Sequence, residues 1–280
     1  MVRNTFCHIP GIGVKTEKSL WRQGLHRWDD LLDETTLELP RVGRGLVRTR
    51  LRESIERLEE ENPAYFTKLL PTGQTWRIFS DFRDSTAYLD IETTGLGGGV
   101  DHITTIAVYD GDSVSYYVYD RNLDDFVEDI CKFKVIVTYN GKCFDIPFIE
   151  AYFGIRIDHA HIDLRFLLKS LGFTGGLKGC EKKMGLDRKE LDGVDGYLAV
   201  LLWEDFQMNR NEKALETLLA YNILDAANLE ALMVMAYNLK LKETPFYVSH
   251  NLPVPEPPYN PLEPHMDIVK RILDEKYGYG

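Results

Sequence analysis

Three rhythms of apolar and polar residues divide the chain. Up to about residue 70, apolar positions recur at helical spacing between glycine corners, as at Val47, Leu51, Ile55 and Leu58. From about 76 to 240, strand-like and helix-like runs alternate. TAYLDIE (86–92) reads as a buried strand running into a glycine-rich loop, GLGGG. ITTIAVYDGDSVSYYVYD (103–120) reads as a hairpin that turns at Asp110-Gly111-Asp112. NLDDFVEDICKF predicts a helix, VIVTYNG a second buried strand, and HIDLRFLLK a strand or strand end. DIPFIEAYFG predicts a helix, with Pro147 in its first turn and Gly154 past its end. Residues 177–236 read as helical, most strongly over 212–236.

This order predicts an α/β fold: a mixed sheet of five to six strands with helices on both faces. It also predicts three segments. Residues 1–75 form a small helical domain, 76–240 the sheet domain, and 241–280 a connector and a short C-terminal helix. The connector, NLPVPEPPYNPLEP, is proline-rich and is expected to lie extended along the body.

With 280 residues, 44% hydrophobic and 28% charged, the chain has material for an ample core. No uninterrupted apolar run reaches membrane-spanning length, and MVRNTFCHIPGIG has no apolar stretch that would make a signal peptide. Cys7, Cys131, Cys143 and Cys180 are scattered, never spaced CxxC, and are expected to be free and mostly buried thiols. A cytoplasmic protein with no membrane contact is the expectation. The net charge of −11 argues against a protein that coats DNA non-specifically. Its distribution is uneven: residues 1–80 carry an excess of +2, with Arg41, Arg44, Arg48, Arg50 and Arg52 clustered and no acid among them. An acidic body with a basic N-terminal segment fits a metal enzyme that grips an anionic polymer, and equally a protein with a solvated basic helix.

The chemistry concentrates in three short segments. Asp90 and Glu92 lie two apart on the first strand and so share a face, while Leu89 and Ile91 point to the other. Two adjacent carboxylates raise each other's pKa unless a cation sits between them. Asp145 stands where an N-cap aspartate belongs, ahead of Pro147. With Asn140 and Gly141 it also forms a strand-end corner, where sheet enzymes place their sites. Tyr221 and Asp225 are i and i+4 on the long helix. That helix is apolar on most sides, so Asp225 is a charge in the core. It needs either bound cations or a Lys or Arg from elsewhere. His159, His161 and Asp163 alternate along one strand and share a face, as metal ligands, cleft edge or ordinary strand polarity.

LDIETTG, the Asn-x-x-x-Phe-Asp element and Tyr-x-x-x-Asp, in this order, resemble the three motifs of the DEDDy exonucleases, a group with the ribonuclease H-like fold. DFRDSTAYLDIETTGL, VIVTYNGKCFDIPFI, HIDLR, GGLKGCEKKMGL and YNILDAANLEAL resemble more closely the YprB-like ribonuclease H-like exonuclease family, over roughly 80–240. Ala220 replaces the histidine of the alternative subgroup. The resemblance implies a 3′→5′ exonuclease acting on DNA or RNA, with single-stranded 3′ ends, that releases 5′-mononucleotides. It implies Asp90 bridging two metal ions, Glu92 and Asp225 completing the site of the attacking water, Asp145 serving the second ion and Tyr221 orienting the water. Two hard cations about 3.5–4 Å apart generate hydroxide and stabilise the leaving oxygen. All-oxygen ligands select Mg²⁺ or Mn²⁺ over zinc. Asn140, Lys142 and Lys178 are candidate nucleic-acid contacts. A module that binds nucleic acid without turnover, and a structure-selective endonuclease on the same fold, are the competing readings.

IPGIGVKTEKSLW resembles the hairpin and second helix of a helix-hairpin-helix motif. There, backbone N–H groups at a helix N-terminus meet a phosphate. Gly11, Gly13 and Lys15 are the candidate contacts. A second copy at LPRVGRGLVRTRL has Arg41 in place of its first glycine and adds Arg44, Arg48 and Arg52 on an outward face. A helical cap packed on the sheet domain is the alternative.

Overall fold

The computed structural model describes residues 1–33, 43–95, 101–256 and 258–278. Most of the GLGGG loop, Arg41 and much of the second hairpin copy lie outside them. The N-terminal segment contributes α1 (Val14–Arg22), α2 (Trp28–Asp33), α3 (Arg44–Glu59) and α4 (Pro63–Leu69). Gly13 caps α1 in extended backbone, and Gly11 before it takes a left-handed φ of 87°. Val47 and Leu51 of α3 turn inward, whereas Arg44, Arg48 and Arg52 lie on its exposed face.

Five strands form one sheet: β1 (Thr86–Thr93), β2 (Ile103–Tyr109), β3 (Val114–Val118), β4 (Val135–Thr138) and β5 (Ala160–Asp163). Their spatial order is β3-β2-β1-β4-β5, with β1, β2 and β3 antiparallel and β1, β4 and β5 parallel. The sheet is therefore mixed, as the order of elements predicts. Asp110 closes the β2–β3 hairpin by accepting from the N–H groups of Asp112 and Ser113 at 2.8 and 2.7 Å.

The helices follow as α5 (Asp145–Phe153), α6 (Leu164–Ser170), α7 (Gly176–Met184), α8 (Gly196–Asn209), α9 (Glu212–Leu241) and α10 (Met266–Tyr277). α5 ends at Gly154 with φ 66°, the left-handed conformation that glycine adopts at no steric cost. One expectation needs correction, and another resolves to the second of its alternatives, a strand end. The stretch read as one helix over NLDDFVEDICKF is a 3₁₀ turn, one α turn and a second 3₁₀ turn. HIDLRFLLK is strand only to Asp163, whose side chain then caps α6 by accepting from the Arg165 N–H at 3.0 Å. A four-residue strand is too short to set a period against the helix that follows it.

α9 is the central beam. By length and composition it could cross a membrane, yet 89% of its most apolar window is buried within the protein. Its C-terminal half shares one apolar cluster with the N-terminal segment: Met233, Tyr237 and Leu241 join Phe6, Trp21, Trp28 and Phe66. A buried ion pair ties the N-terminal segment to the residues before β1. Glu17 accepts from Arg77 at 2.7 Å and from the N–H groups of Phe6 and Cys7. The connector after α9 runs along the body, where Asn260 donates to the Ala220 carbonyl at 2.8 Å. All four cysteines are free, but only Cys7 and Cys180 are buried, against the expectation of mostly buried thiols.

Candidate active site

β1 is central in the sheet, and its alternation divides it cleanly. Ala87, Leu89 and Ile91 enter the apolar layer on one face. Asp90 and Glu92 point to the other face, the one α9 crosses. Tyr221, Asn222 and Asp225 of α9 meet them there. Ligand oxygens of Asp90, Glu92 and Asp225 all lie within 4.8 Å of one another. Asp90 and Glu92 are half-buried and Asp225 is buried. The cleft they line holds about 670 Å³, and Tyr221, Tyr139, Asn140 and residues 173–177, which lead into α7, share its wall.

Asp90 and Asp225 are each held from behind. Asn222 donates to Asp90 at 2.7 Å, and its own carbonyl oxygen accepts from Thr105 at 3.0 Å. Arg188 donates to Asp225 with one arm and to Glu181 with the other. Asp225 therefore has the arginine partner that a core carboxylate needs, and it still faces the shared cleft.

Asp145 is the first residue of α5, one position after its N-cap Phe144, and is 4% exposed. It stands outside the tight triad but close enough to raise Asp90 and Glu92. Burial holds its own carboxyl at about 7. Burial first, then neighbouring carboxylates, push Asp90 and Glu92 well above the usual carboxylate range. Asp225 is also raised by burial, with Arg188 opposing. Like charges crowded in a partly dehydrated space are what a divalent cation relieves. The donors are all carboxylate oxygens, which fits hard ions such as Mg²⁺ or Mn²⁺.

The corner after β4 is tightly built. Asn140 has φ 70°, uncommon for any residue but glycine, and its side-chain oxygen accepts from Arg165. A Cβ on Gly141 would come within 2.2 Å of the Thr138 hydroxyl, so only glycine fits there. Asp163 fixes this corner by accepting from the N–H groups of Asn140 and Lys142 at 2.9 and 3.0 Å. His161 bonds Thr138 at 2.9 Å and His159 bonds the Ile130 carbonyl at 3.0 Å. The alternating His159, His161 and Asp163 are thus occupied in structural bonds, and burial keeps His161 neutral, its pKa lowered to about 3.

Of the lysines, Lys178 stands 5.1 Å from the Tyr221 ring centre, inside the site. Lys142 instead lines a neighbouring pocket with Thr72, Trp76 and Phe166. Arg165, Lys169 and Phe173 line the acidic cleft and were not singled out by sequence. Their only signal was position, on the helix and loop after a strand end. Gly11 and Gly13, ahead of α1, and Lys15, in its first turn, are exposed, consistent with contacts to a ligand there and equally with a solvated surface.

No curated protein and no solved structure matches the chain. A family model described as RNase_H superfamily matches residues 87–237, just over half of the chain, and spans β1 through most of α9. That span takes in every carboxylate of the cleft, and the chain belongs to the RNase H superfamily.

Proposed function

We propose that the chain is a metal-dependent 3′→5′ exonuclease that hydrolyses phosphodiester bonds at single-stranded ends of DNA or RNA. Membership of the superfamily points to a nuclease-type hydrolase with a nucleic-acid substrate. The observation that carries the finer reading is the convergence of Asp90, Glu92 and Asp225 from two distant segments, with Tyr221 in the same cleft. Resemblance to the DEDDy and YprB-like exonucleases supplies the polarity.

Asp90, Glu92 and Asp225 would hold the first ion, and Asp145 would help hold a second. Two such ions supply an activated water and stabilise the leaving oxygen. The chain's own residues do the rest. Asn222 fixes the Asp90 carboxylate. Tyr221 keeps its phenol protonated, because burial and the neighbouring carboxylates raise its pKa, so it can donate to or orient a water. Arg165 and Lys169 offer positive charge to the phosphates. Phe173 and Tyr139 offer rings on which a base can stack. The exposed arginines of α3 extend the nucleic-acid contact beyond the cleft.

The test is a time course on matched 5′-labelled DNA and RNA oligonucleotides, single- and double-stranded, with and without Mn²⁺. A ladder receding from the 3′ end, lost in Asp90→Asn, is the expected result. Cleavage retained in that variant would overturn the site. One internal cut would mean an endonuclease, and tight metal-independent binding without turnover would mean a binding module.

A further inference from the structure

Behind the carboxylates lies a second polar layer that the proposed chemistry does not use. Arg188 is 4% exposed and follows α7 in the chain. One arm donates to Glu181 Oε2 at 2.7 Å and the other to Asp225 Oδ1. Glu181 is fully buried, and its second oxygen accepts from Asn228 at 2.8 Å. Asn228 is on α9, three residues beyond Asp225. The bonds therefore close a ring from α9 through Arg188 and α7 back to α9. Arg188 also lies over Tyr221, 5.3 Å from its ring centre.

A buried Glu–Arg–Asp chain is a poor device for stability. Desolvating the ions costs about as much as their attraction returns, and apolar replacements of such groups are often neutral or stabilising. It is a good device for orientation. The planar guanidinium fork holds two carboxylates in one fixed geometry, whereas an ammonium is a point charge with rotatable donors on a flexible stem. Here one of the two is a carboxylate of the cleft, and the same guanidinium covers Tyr221. We propose that Arg188 is a positioning residue, locked by Glu181 and Asn228, that fixes the direction from which Asp225 presents its carboxylate to a divalent ion and holds Tyr221 beside it. Arg188 is shut off from the cleft by its burial, so it acts through these two residues and not on substrate.

The inference rests on the metal-dependent reading of the cleft, and its test separates the two. Mn²⁺ binding to the full chain is measured by titration calorimetry, without substrate, for the wild type, Arg188→Lys, Glu181→Gln and the double variant. kcat and KM on an oligonucleotide are measured beside it. Arg188→Lys keeps the charge and loses the fork. It is expected to bind Mn²⁺ about tenfold more weakly. It is expected to lower kcat by about a hundredfold, with KM for the oligonucleotide unchanged. Glu181→Gln is expected to act in the same direction, and the two changes to be non-additive because they break one ring. Should Arg188→Lys fail to fold, Glu181→Gln alone decides.

Wild-type Mn²⁺ affinity and kcat in the folded variants would overturn the positioning role. So would a raised KM with unchanged kcat, which would make Arg188 a substrate contact. If the wild type itself takes up no Mn²⁺, the metal-dependent reading fails, and the positioning role fails with it.

Discussion

Replacing Asp90 by Asn should stabilise the metal-free protein while abolishing its response to metal. The side chain keeps its shape, and an amide oxygen can still accept from Asn222, now 2.7 Å away. What changes is charge. At 4.8 Å, the outer limit of the triad's separations, two unit charges interact by about 3.5 kcal/mol at an effective dielectric of about 20. The substitution removes two of the three repulsive pairs, a gross repulsion of about 7 kcal/mol at that separation if all three were fully charged. Proton uptake by the cluster and the charge of Arg188 already relieve most of this. About 2 kcal/mol is the expected net gain at about pH 8, within the range of ordinary single substitutions. For a chain of this size that corresponds to a rise in Tm of about 4 °C. The assay is thermal unfolding in EDTA and again with millimolar MnCl₂. Wild type should gain stability from Mn²⁺ by mass action, and the variant should gain little. A lower Tm in EDTA, or undiminished stabilisation by Mn²⁺, would refute the idea that these carboxylates repel one another and await a cation.

Three further outcomes follow from particular residues. Asp145 has a folded-state pKa of about 7 against an ordinary 3.8, so its contribution is full below about pH 4 and lost as pH rises through about 7. At about 1.36 kcal/mol per pK unit its ceiling is about 4 kcal/mol. A denaturant series across that window should show the metal-free protein weakening, and Asp145→Asn should flatten the decline. Arg77→Met leaves Glu17 buried without its cation and should cost about 3–5 kcal/mol in urea unfolding; a change below about 1 kcal/mol would mean the N-terminal segment is held by apolar packing alone. Arg48→Glu with Arg52→Glu should weaken oligonucleotide binding and shallow its salt dependence by about two phosphate contacts, read by fluorescence anisotropy over a salt series. Unchanged affinity would make the basic face of α3 a solvated surface.

The parts legible in the sequence are those fixed by short-range physics. Alternation in TAYLDIE dictates which face Asp90 and Glu92 occupy, because β-strand side chains alternate. Pro147 and Gly154 bracket α5 through their own backbone limits, and the Asp-Gly-Asp turn sets the hairpin. The i, i+4 spacing of Tyr221 and Asp225 places both on one face of α9. What was hidden depends on contacts distant along the chain. Nothing in DR at 187–188 announces that Arg188 reaches Asp225, 37 residues away. Asp163 could be a ligand, a cleft edge or plain strand polarity until β5 is seen to end at it. Asp145 occupies a cap position by sequence, yet the N-cap of α5 is Phe144 and Asp145 is its buried first residue.

Diffraction from crystals soaked in Mn²⁺, recorded where manganese scatters anomalously, tests the metal centre most directly. Anomalous density is expected against the oxygens of Asp90, Glu92 and Asp225, and absent in Asp90→Asn. Manganese bound elsewhere on the surface, with those three carboxylates left bare at saturating Mn²⁺, would contradict it.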